Sequence, residues 1–325
     1  MDRENAVQFP ARAFWRQSVA RARCFLLLTI SSETSMTVND ADTARLLVTC
    51  PDKPGIISAV STFLYNHGAN ITDFDQHSSD AHGGTFFLRL EFQTPELDCS
   101  REALRNNFAN RVAEPYGMQW QISYASEKKR MGVLVSRHDH VLMDLLWRTS
   151  RGDLPATIPI VISNHDDLRD EVERFGIEYH HIPVSADNKA EAEAEALAKL
   201  DGKVDVVVLA RYMQILSSNF VSHYPHRVIN IHHSFLPAFV GANPYQQAHD
   251  KGVKLIGATS HYVTEDLDQG PIIEQNVQRV SHRHSASELR SLGQDVERQV
   301  MLRAVRWHLE DRVIVDGNKT VVFVK

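Results

Sequence analysis

Two separate segments of the sequence carry side chains that could stabilise a negative charge on oxygen and move a proton. Asn230 and His232 lie two residues apart in a run that begins at Val228, so on a strand both side chains point to the same side. Asp268 follows in a later loop that ends at a Gly-Pro turn beginning with Gly270. An amide and an imidazole can donate to a developing oxyanion, and a carboxylate beside an imidazole can share general-base work near neutral pH.

Other residues near these segments have simpler explanations. A lone strand histidine is often a core residue, so the case for His232 depends on its combination with Asn230 and Asp268. Glu265 and Asp266 are interpreted as solvated loop charges. The pairs 180–181 and 232–233 are both His-His and raise a metal site as an alternative. Adjacent strand residues face opposite sides, and no Cys or acidic ligands stand at metal spacing, so we predict no metal.

Strands alternate with helices in the part of the chain that carries these residues, which predicts an α/β fold with a mostly parallel, doubly wound sheet. Helices are predicted over 188–200 and 287–309, the second packing back on the sheet. Ligands of such sheets bind beyond the carboxyl ends of the strands, where strand order reverses. The predicted strands cover residues 131–136, 158–163, 179–183, 204–209, 228–232, 257–263 and 272–280.

The loop after the first of these strands argues against a nucleotide site. It reads Ser136-Arg137-His138-Asp139-His140 and contains no glycine, so the tight turn that binds a pyrophosphate is missing. A Walker A motif is also missing from the sequence. We therefore expect a small-molecule site whose chemistry comes from the later loops.

The preceding part of the chain has a different order of elements. Strands are predicted over 45–50, 71–77, 85–92 and 118–124, with helices over 56–67 and 100–116. The order βαββαβ is the ferredoxin-like plan, in which two helices cover one face of an antiparallel sheet.

The turn between the first strand and helix, Cys50-Pro51-Asp52-Lys53-Pro54-Gly55-Ile56-Ile57, resembles the opening of ACT domains, which sense amino acids. Backbone donors at a helix N-terminus suit the carboxylate of an amino acid. The alternative is a turn that only joins strand to helix. The resemblance implies an effector site formed by Asp52, Lys53, Pro54, Gly55 and Ile56.

The two later segments resemble the folate-dependent formyltransferase family, whose signature is Asn-x-His, then Leu-Pro, then a distant Asp-x-Gly. The resemblance covers essentially the whole Rossmann-like second domain and implies that Asn230, His232 and Asp268 are catalytic, with His261 and Gly270 supporting them. The run Ala210–Ser217 looks like the loop that lines the pterin pocket. The implied folate-binding residues are Tyr212, Met213, Ile215, Leu216, Leu236 and Pro237.

An ACT-like module in front of such a domain is similar to the deformylases of this family. The resemblance implies hydrolysis of 10-formyltetrahydrofolate to tetrahydrofolate and formate, which supplies formate for purine synthesis, with no permanently bound cofactor. It further implies a homo-oligomer with glycine or methionine as effector. Formyl transfer to an amine such as glycinamide ribonucleotide, and an inactive amino-acid sensor, remain open as alternatives.

Composition limits the remaining function classes. The 325 residues are 43% hydrophobic and 23% charged, which is globular usage, and the length predicts about two domains. A net charge of −6 argues against a nucleic-acid partner. The longest apolar runs, 24–28 and 206–210, are far shorter than the roughly 18 residues that cross a membrane. Three cysteines without C-x-x-C spacing predict reduced thiols and a cytoplasmic location.

The predicted division places an ACT-like domain at 44–125, a charged linker at 126–130 and the catalytic domain at 131–325. Residues 1–43 are predicted to be a poorly ordered extension, with an arginine-rich, acid-poor start. Organelle targeting by residues 1–35, a true start at Met36, and a structural element all remain open.

Overall fold

The computed structural model describes residues 42–80, 83–236 and 244–324. The predicted N-terminal extension lies outside these residues except at its end, where Thr43 already opens the first strand. The first part of the chain forms β1 (Thr43–Pro51), α1 (Ile56–Asn66), β2 (Asn70–Ser78), β3 (Thr85–Gln93), α2 (Arg101–Phe108), a π-helical segment (Ala109–Ala113), α3 (Glu114–Tyr116) and β4 (Gln119–Tyr124).

These strands form an antiparallel sheet in the order β2-β3-β1-β4, which confirms the ferredoxin-like prediction. In β1 the buried residues alternate with partly exposed ones, and the buried side chains of Leu46 and Val48 pack with those of α1 and α2 in one core. The helix predicted over 100–116 is interrupted by the π-helical segment and ends at Gly117, whose φ is +63°. Ser100 caps its start, because its hydroxyl accepts from the Ala103 amide.

The second part of the chain alternates strands and helices, as the sequence predicts. Its elements are β5 (Lys129–Val135), α4 (His140–Arg151), β6 (Ala156–Ser163), α5 (Arg169–Glu173), β7 (Glu178–His181), α6 (Lys189–Leu200), β8 (Val206–Ala210), α7 (Ser218–His223), β9 (Val228–His232), α8 (Pro244–Asp250), β10 (Leu255–Tyr262), β11 (Ile272–Arg279), α9 (Ala286–Leu309), β12 (Val313–Asp316) and β13 (Lys319–Val322).

Strands β5 to β11 form one sheet in the order β11-β10-β9-β8-β5-β6-β7. Strands β5 to β9 are parallel to one another, whereas β10 is antiparallel to both β9 and β11. Apolar side chains of α4 and α9 pack on one face of this sheet, and those of α6 and α7 pack on the other. The predicted mostly parallel, doubly wound architecture is therefore confirmed, and its strand order reverses between β5 and β8.

The predicted linker is shorter than the sequence suggests. Lys129 and Arg130 belong to β5, and the charge of each has an acidic partner. The Lys129 ammonium contacts the Asp311 carboxylate at 2.5 Å, and the Arg130 guanidinium contacts that of Asp205 at 2.7 Å. A run of charges without apolar residues can therefore start a strand when acidic partners from elsewhere in the fold lie beside it.

Within residues 42–80, 83–236 and 244–324, each helix is too short or too polar to cross a bilayer.

Candidate active site

The predicted catalytic residues come together where β9 ends beside β10. Asn230 and His232 lie on β9 with one residue between them, and both line one cavity. Because β10 runs antiparallel to β9, His261 pairs with Asn230 across the ladder. Asp268 enters from the loop that follows β10. Three segments that are distant in the sequence thus supply one cluster of polar side chains.

Hydrogen-bond distances connect these side chains into a chain of contacts. His232 Nδ1 lies 3.2 Å from Asp268 Oδ2, and His261 Nε2 lies 3.5 Å from Asp268 Oδ1. The Asn230 amide nitrogen lies 3.2 Å from His261 Nε2, while His261 Nδ1 donates to the Tyr262 carbonyl at 2.9 Å. The imidazole of His261 is therefore fixed at both nitrogens and holds both Asn230 and Asp268 in place.

The backbone around Asp268 explains why the loop ends in a Gly-Pro turn. Asp268 has a φ of +56°, a left-handed conformation that Asp and Asn adopt more readily than most residues. Gly270 approaches β10 so closely that a Cβ added there would lie 1.8 Å from the Tyr262 carbonyl oxygen. Any side chain at position 270 would thus displace the turn that carries Asp268.

The charge state of Asp268 and the hydrogen bonds of His232 indicate different roles for the carboxylate and the imidazole. Hydrogen bonds from His232 and then His261 hold the pKa of Asp268 well below its usual range, against the effect of burial. Such a carboxylate stays charged and is a weak base, so it can orient His232 and stabilise its protonated form. Nε2 of His232 is buried, and no described residue hydrogen-bonds to it. This nitrogen is free for a substrate or a water molecule.

The cavity has a volume of about 300 Å³ and adjoins the point where strand order reverses. Four of the predicted folate-binding residues line it: Tyr212, Met213, Ile215 and Leu216. Their loop is held at its base by Ser136, whose hydroxyl accepts from the Met213 amide at 3.0 Å. Met213 and Ile215 are more than half exposed, which leaves apolar surface for a flat aromatic ring.

The two remaining predicted folate-binding residues are Leu236 and Pro237. Leu236 is not among the described residues that line this cavity, and its backbone amide donates to the Thr259 hydroxyl at 3.0 Å. Pro237 lies outside the described residues.

The expectation that His232 and His233 face opposite sides is wrong. Strand β9 ends at His232, so the alternation of a strand does not extend to His233. The two rings instead stack with their centres 5.1 Å apart. Burial, reinforced by the Arg211 charge, lowers the pKa of His233 to about 4, so this ring is neutral at neutral pH.

A buried charge network beside the site was not predicted. Glu297 of α9 is buried and accepts hydrogen bonds from His140 at 2.8 Å and from Tyr245 at 2.7 Å. Arg211, which follows β8 with a φ of +61°, lies 3.6 Å from the same carboxylate. The helical spacing of α9 indicates an apolar face, and nothing in the sequence distinguishes Glu297 from the exposed acidic residues of that helix.

The predicted effector turn is well formed, although its side chains have partners within the domain. Gly55 has a φ of +94° and lines a cavity of about 460 Å³ between α1 and the π-helical segment. The Asp52 carboxylate accepts from Ser78, and the Lys53 ammonium donates to the Pro115 carbonyl at 3.0 Å. Ile56 is buried in the core, so only its backbone faces the turn.

One group of potential metal ligands occurs in the part of the chain that the structure describes, and it lies in the first domain. His67 Nδ1, Asp98 Oδ1 and Cys99 Sγ lie within 4.8 Å of one another. His67, which follows α1, and Asp98, which lies in the loop between β3 and α2, contact each other at 2.7 Å, so a hydrogen bond between the two side chains explains why they lie together. This group is separate from the cluster around Asp268.

Family models match both halves of the chain. The formyl transferase model matches residues 129–305, and the ACT domain model matches residues 44–107.

Curated relatives and solved structures match over most of the chain. The formyltetrahydrofolate deformylase of Bacillus subtilis (strain 168) is 55% identical over 283 residues, which cover 87% of this chain and 94% of that protein. A crystal structure of the deformylase from Pseudomonas syringae is 50% identical with a TM-score of 0.84, covering 87% of this chain and 94% of that one. Glycinamide ribonucleotide transformylase 1 from Symbiobacterium toebii is 30% identical with a TM-score of 0.57, and covers only 61% of this chain and 95% of its own.

Proposed function

The chain belongs to the formyltetrahydrofolate deformylase family, and we infer that it hydrolyses 10-formyltetrahydrofolate to tetrahydrofolate and formate. The observation that carries this inference is the identity of 40–55% over 84–87% of the chain to relatives with that name. Those relatives match across both the ACT and the catalytic regions, whereas the transformylase matches a smaller part of the chain. We further infer that the substrate is the only folate compound required and that no resident cofactor takes part.

In the proposed reaction, water attacks the formyl carbon while His232 Nε2 removes a proton from that water. Asp268 accepts from His232 Nδ1, which leaves Nε2 as the basic nitrogen of the neutral ring. A tetrahedral intermediate with a negative oxygen forms, and an N–H of the Asn230 amide donates to that oxygen. The protonated His232 then returns the proton to N10 as the C–N bond breaks, which releases the amine of tetrahydrofolate and formic acid, and the acid loses its proton to water to give formate.

The supporting residues act on the geometry rather than on the substrate. The Asn230 amide nitrogen contacts His261 Nε2 at 3.2 Å, and this contact holds the amide in place beside the oxyanion. Gly270 allows the turn to bring Asp268 against both imidazoles. We propose that Tyr212, Met213, Ile215 and Leu216 contact the pterin ring in the cavity that they line.

The first domain is proposed to regulate this reaction. An ACT domain implies an amino-acid ligand, and we propose glycine or methionine as that ligand, bound at the turn Asp52–Ile56 of a homo-oligomer. A division into two domains between β4 and β5 and a cytoplasmic location complete the proposal.

The test of the proposed function is formate release from 10-formyltetrahydrofolate with no amine present. We expect stoichiometric formate and tetrahydrofolate, with a rate that addition of glycinamide ribonucleotide does not change. Formyl transfer that begins only when this amine is added would instead favour the transformylase activity of the more distant structural neighbour. Addition of glycine or methionine to the same assay tests the proposed regulation.

A further inference from the structure

A second cavity lies next to the one that contains the proposed catalytic residues. Its volume is about 660 Å³, and it is bounded by α8, α9 and the residues that follow β5. The cavity reaches solvent beside His138, Gln246 and Arg290, which are exposed. None of the proposed catalytic residues lines it, so the reaction as described above makes no use of this space.

Three described residues line both cavities and therefore form the wall between them. They are Arg211, Met213 and His233, which we call the dividing wall. Within this wall the ring of His233 stacks on that of His232 with an interplanar angle of 23°. A molecule in the second cavity is thus separated from the proposed general base by the thickness of an aromatic ring.

Charged groups keep the dividing wall in position. The side chain of Arg211 is 10% exposed, and Glu297 holds it through an ion pair of 3.6 Å. Glu297 is itself held by His140 and Tyr245, and a Cβ added at Gly293 would lie 2.1 Å from the Tyr245 hydroxyl oxygen. A closely packed network therefore holds Arg211, and Arg211 lies near enough to His233 for its charge to lower the pKa of that ring.

The residues around the second cavity suit an anionic molecule. Among the described residues that line this cavity, Arg211 and Arg290 carry positive charges and Glu297 is the one acidic residue, so the Arg290 charge remains after Arg211 pairs with Glu297. A phosphate or carboxylate carried by an amine would find complementary charge here. The cavity thus has the position and the charge of a binding site for an amine acceptor, but the dividing wall stands between such an amine and the formyl carbon.

We propose that His233, together with Arg211 and Met213, determines that water rather than an amine accepts the formyl group. A water molecule, with a share of liquid volume of about 30 Å³, fits beside His232 within the first cavity. An amine with a bulky anionic substituent can occupy only the second cavity, on the far side of the wall. This inference rests on the proposed hydrolysis and assigns its acceptor specificity to named residues.

The experiment truncates side chains of the dividing wall and measures whether water or an amine accepts the formyl group. His233→Ala and Met213→Ala are incubated with 10-formyltetrahydrofolate and glycinamide ribonucleotide, which carries both an amine and a phosphate. Formate and formylated amine are quantified in the same reaction. We expect the ratio of formylated amine to formate to rise at least tenfold over wild type in His233→Ala. Glycinamide, which lacks the phosphate, should be formylated less than the ribonucleotide.

The matched control is His138→Ala, because His138 lines the second cavity but not the first. This variant removes the same ring outside the dividing wall and should keep the wild-type acceptor ratio. The proposal is overturned if both wall variants still hydrolyse the substrate and neither formylates the amine. It is equally overturned if His138→Ala raises the ratio as much as His233→Ala. An absence of hydrolysis by the wild-type protein would instead contradict the proposed function.

Discussion

At the residue scale, the site depends on how one carboxylate is shared by two imidazoles. Each oxygen of Asp268 faces a different ring, His232 at 3.2 Å and His261 at 3.5 Å. The charge of Asp268 therefore orients the proposed base with one oxygen and supports the residue that holds Asn230 with the other. Loss of this charge disturbs both the proton transfer and the oxyanion donor.

We expect Asp268→Asn to fold normally and to lose most of its turnover. Asn tolerates the φ of +56° at this position, so the backbone is preserved. The amide cannot stabilise a protonated His232, and the rate of formate release should fall by about 100-fold or more. Circular dichroism and the melting temperature establish that the variant is folded.

The control for this variant is Asp187→Asn, which changes an exposed carboxylate that lines neither the first nor the second cavity. Its formate release should stay within about twofold of wild type, as is usual for surface changes away from a network. Near-normal turnover of Asp268→Asn would remove Asp268 from the mechanism.

At the element scale, the antiparallel strand β10 is what completes the site. A parallel neighbour would have its carboxyl end beside that of β9, whereas β10 returns along β9 and brings His261 opposite Asn230. The loop after β10 must then turn sharply back toward β9, and Gly270 makes that turn where the chain touches the Tyr262 carbonyl.

Gly270→Ala should therefore impair both stability and catalysis. The added methyl group would overlap the Tyr262 carbonyl oxygen, which cannot move without breaking the pairing of β10. We expect a loss of about 2 kcal/mol or more in the free energy of unfolding, together with slower formate release. Urea unfolding and the activity assay measure the two effects.

Gly152→Ala separates the effect of a close contact from that of backbone strain. Gly152 ends α4 with a φ of +82°, and a Cβ added there meets no atom within 4 Å. This variant should lose about 1 kcal/mol through strain and keep its turnover. Equal behaviour of the two alanine variants would show that the contact with Tyr262 is unimportant.

At the scale of the whole molecule, the two domains are joined through the end of α9. Arg89 of β3 is 1% exposed and donates to the backbone carbonyls of Asp311 at 3.0 Å and Glu310 at 3.1 Å. Ser123 of β4 donates to the Asp311 carboxylate at 2.7 Å, and Lys129 reaches the same carboxylate. The sheet of the first domain thus contacts the helix that packs against β10.

We expect Arg89→Met to destabilise the protein by about 3–5 kcal/mol, because it removes one partner of a buried ionic network. Glu91, which contacts Arg89 at 2.5 Å, would lose that partner, as would the two carbonyls. Urea unfolding measures the effect. Arg101→Met is the matched control: its pair with Glu127 is exposed on both sides, and its removal should cost no more than about 1 kcal/mol.

The same region should make stability depend on pH. His308 near the end of α9 is mostly shielded from solvent, accepts from the Tyr262 hydroxyl at 2.8 Å, and has its pKa lowered to about 3 by burial and then by the Lys129 charge. The unfolded chain binds a proton on this histidine below about pH 6.5, whereas the folded chain does not until about pH 3. The free energy of unfolding therefore falls as the pH falls through this window.

His308→Gln should remove this contribution, since an amide can accept from Tyr262 and does not titrate. Between pH 7 and pH 5 the wild type should lose about 2 kcal/mol more than this variant, as measured by urea unfolding at both values. His249→Gln, which changes an exposed ring, should behave as the wild type does. An identical pH dependence for wild type and His308→Gln would contradict the buried neutral state of His308.

The sequence alone determined most of the architecture and the identity of the proposed catalytic residues. Strand and helix periods are local properties of the chain, so the ferredoxin-like order and the alternating second domain could be predicted within a few residues. The spacing of Asn230 and His232 on one strand already placed both side chains on one side. The signature that includes Asp268 could be recognised although it spans separate loops.

Only the tertiary structure decided which further residues surround these three and what they can do. The stacking of His233 on His232, the positive φ of Arg211 and the buried charge of Glu297 depend on contacts between segments that are distant in the sequence. The sequence alone predicts Lys129 and Arg130 as linker residues, because their acidic partners lie 182 and 75 positions away along the chain. Local patterns encode which face of an element is apolar, but they do not encode which charge will lie opposite it, because that is fixed only when the elements pack.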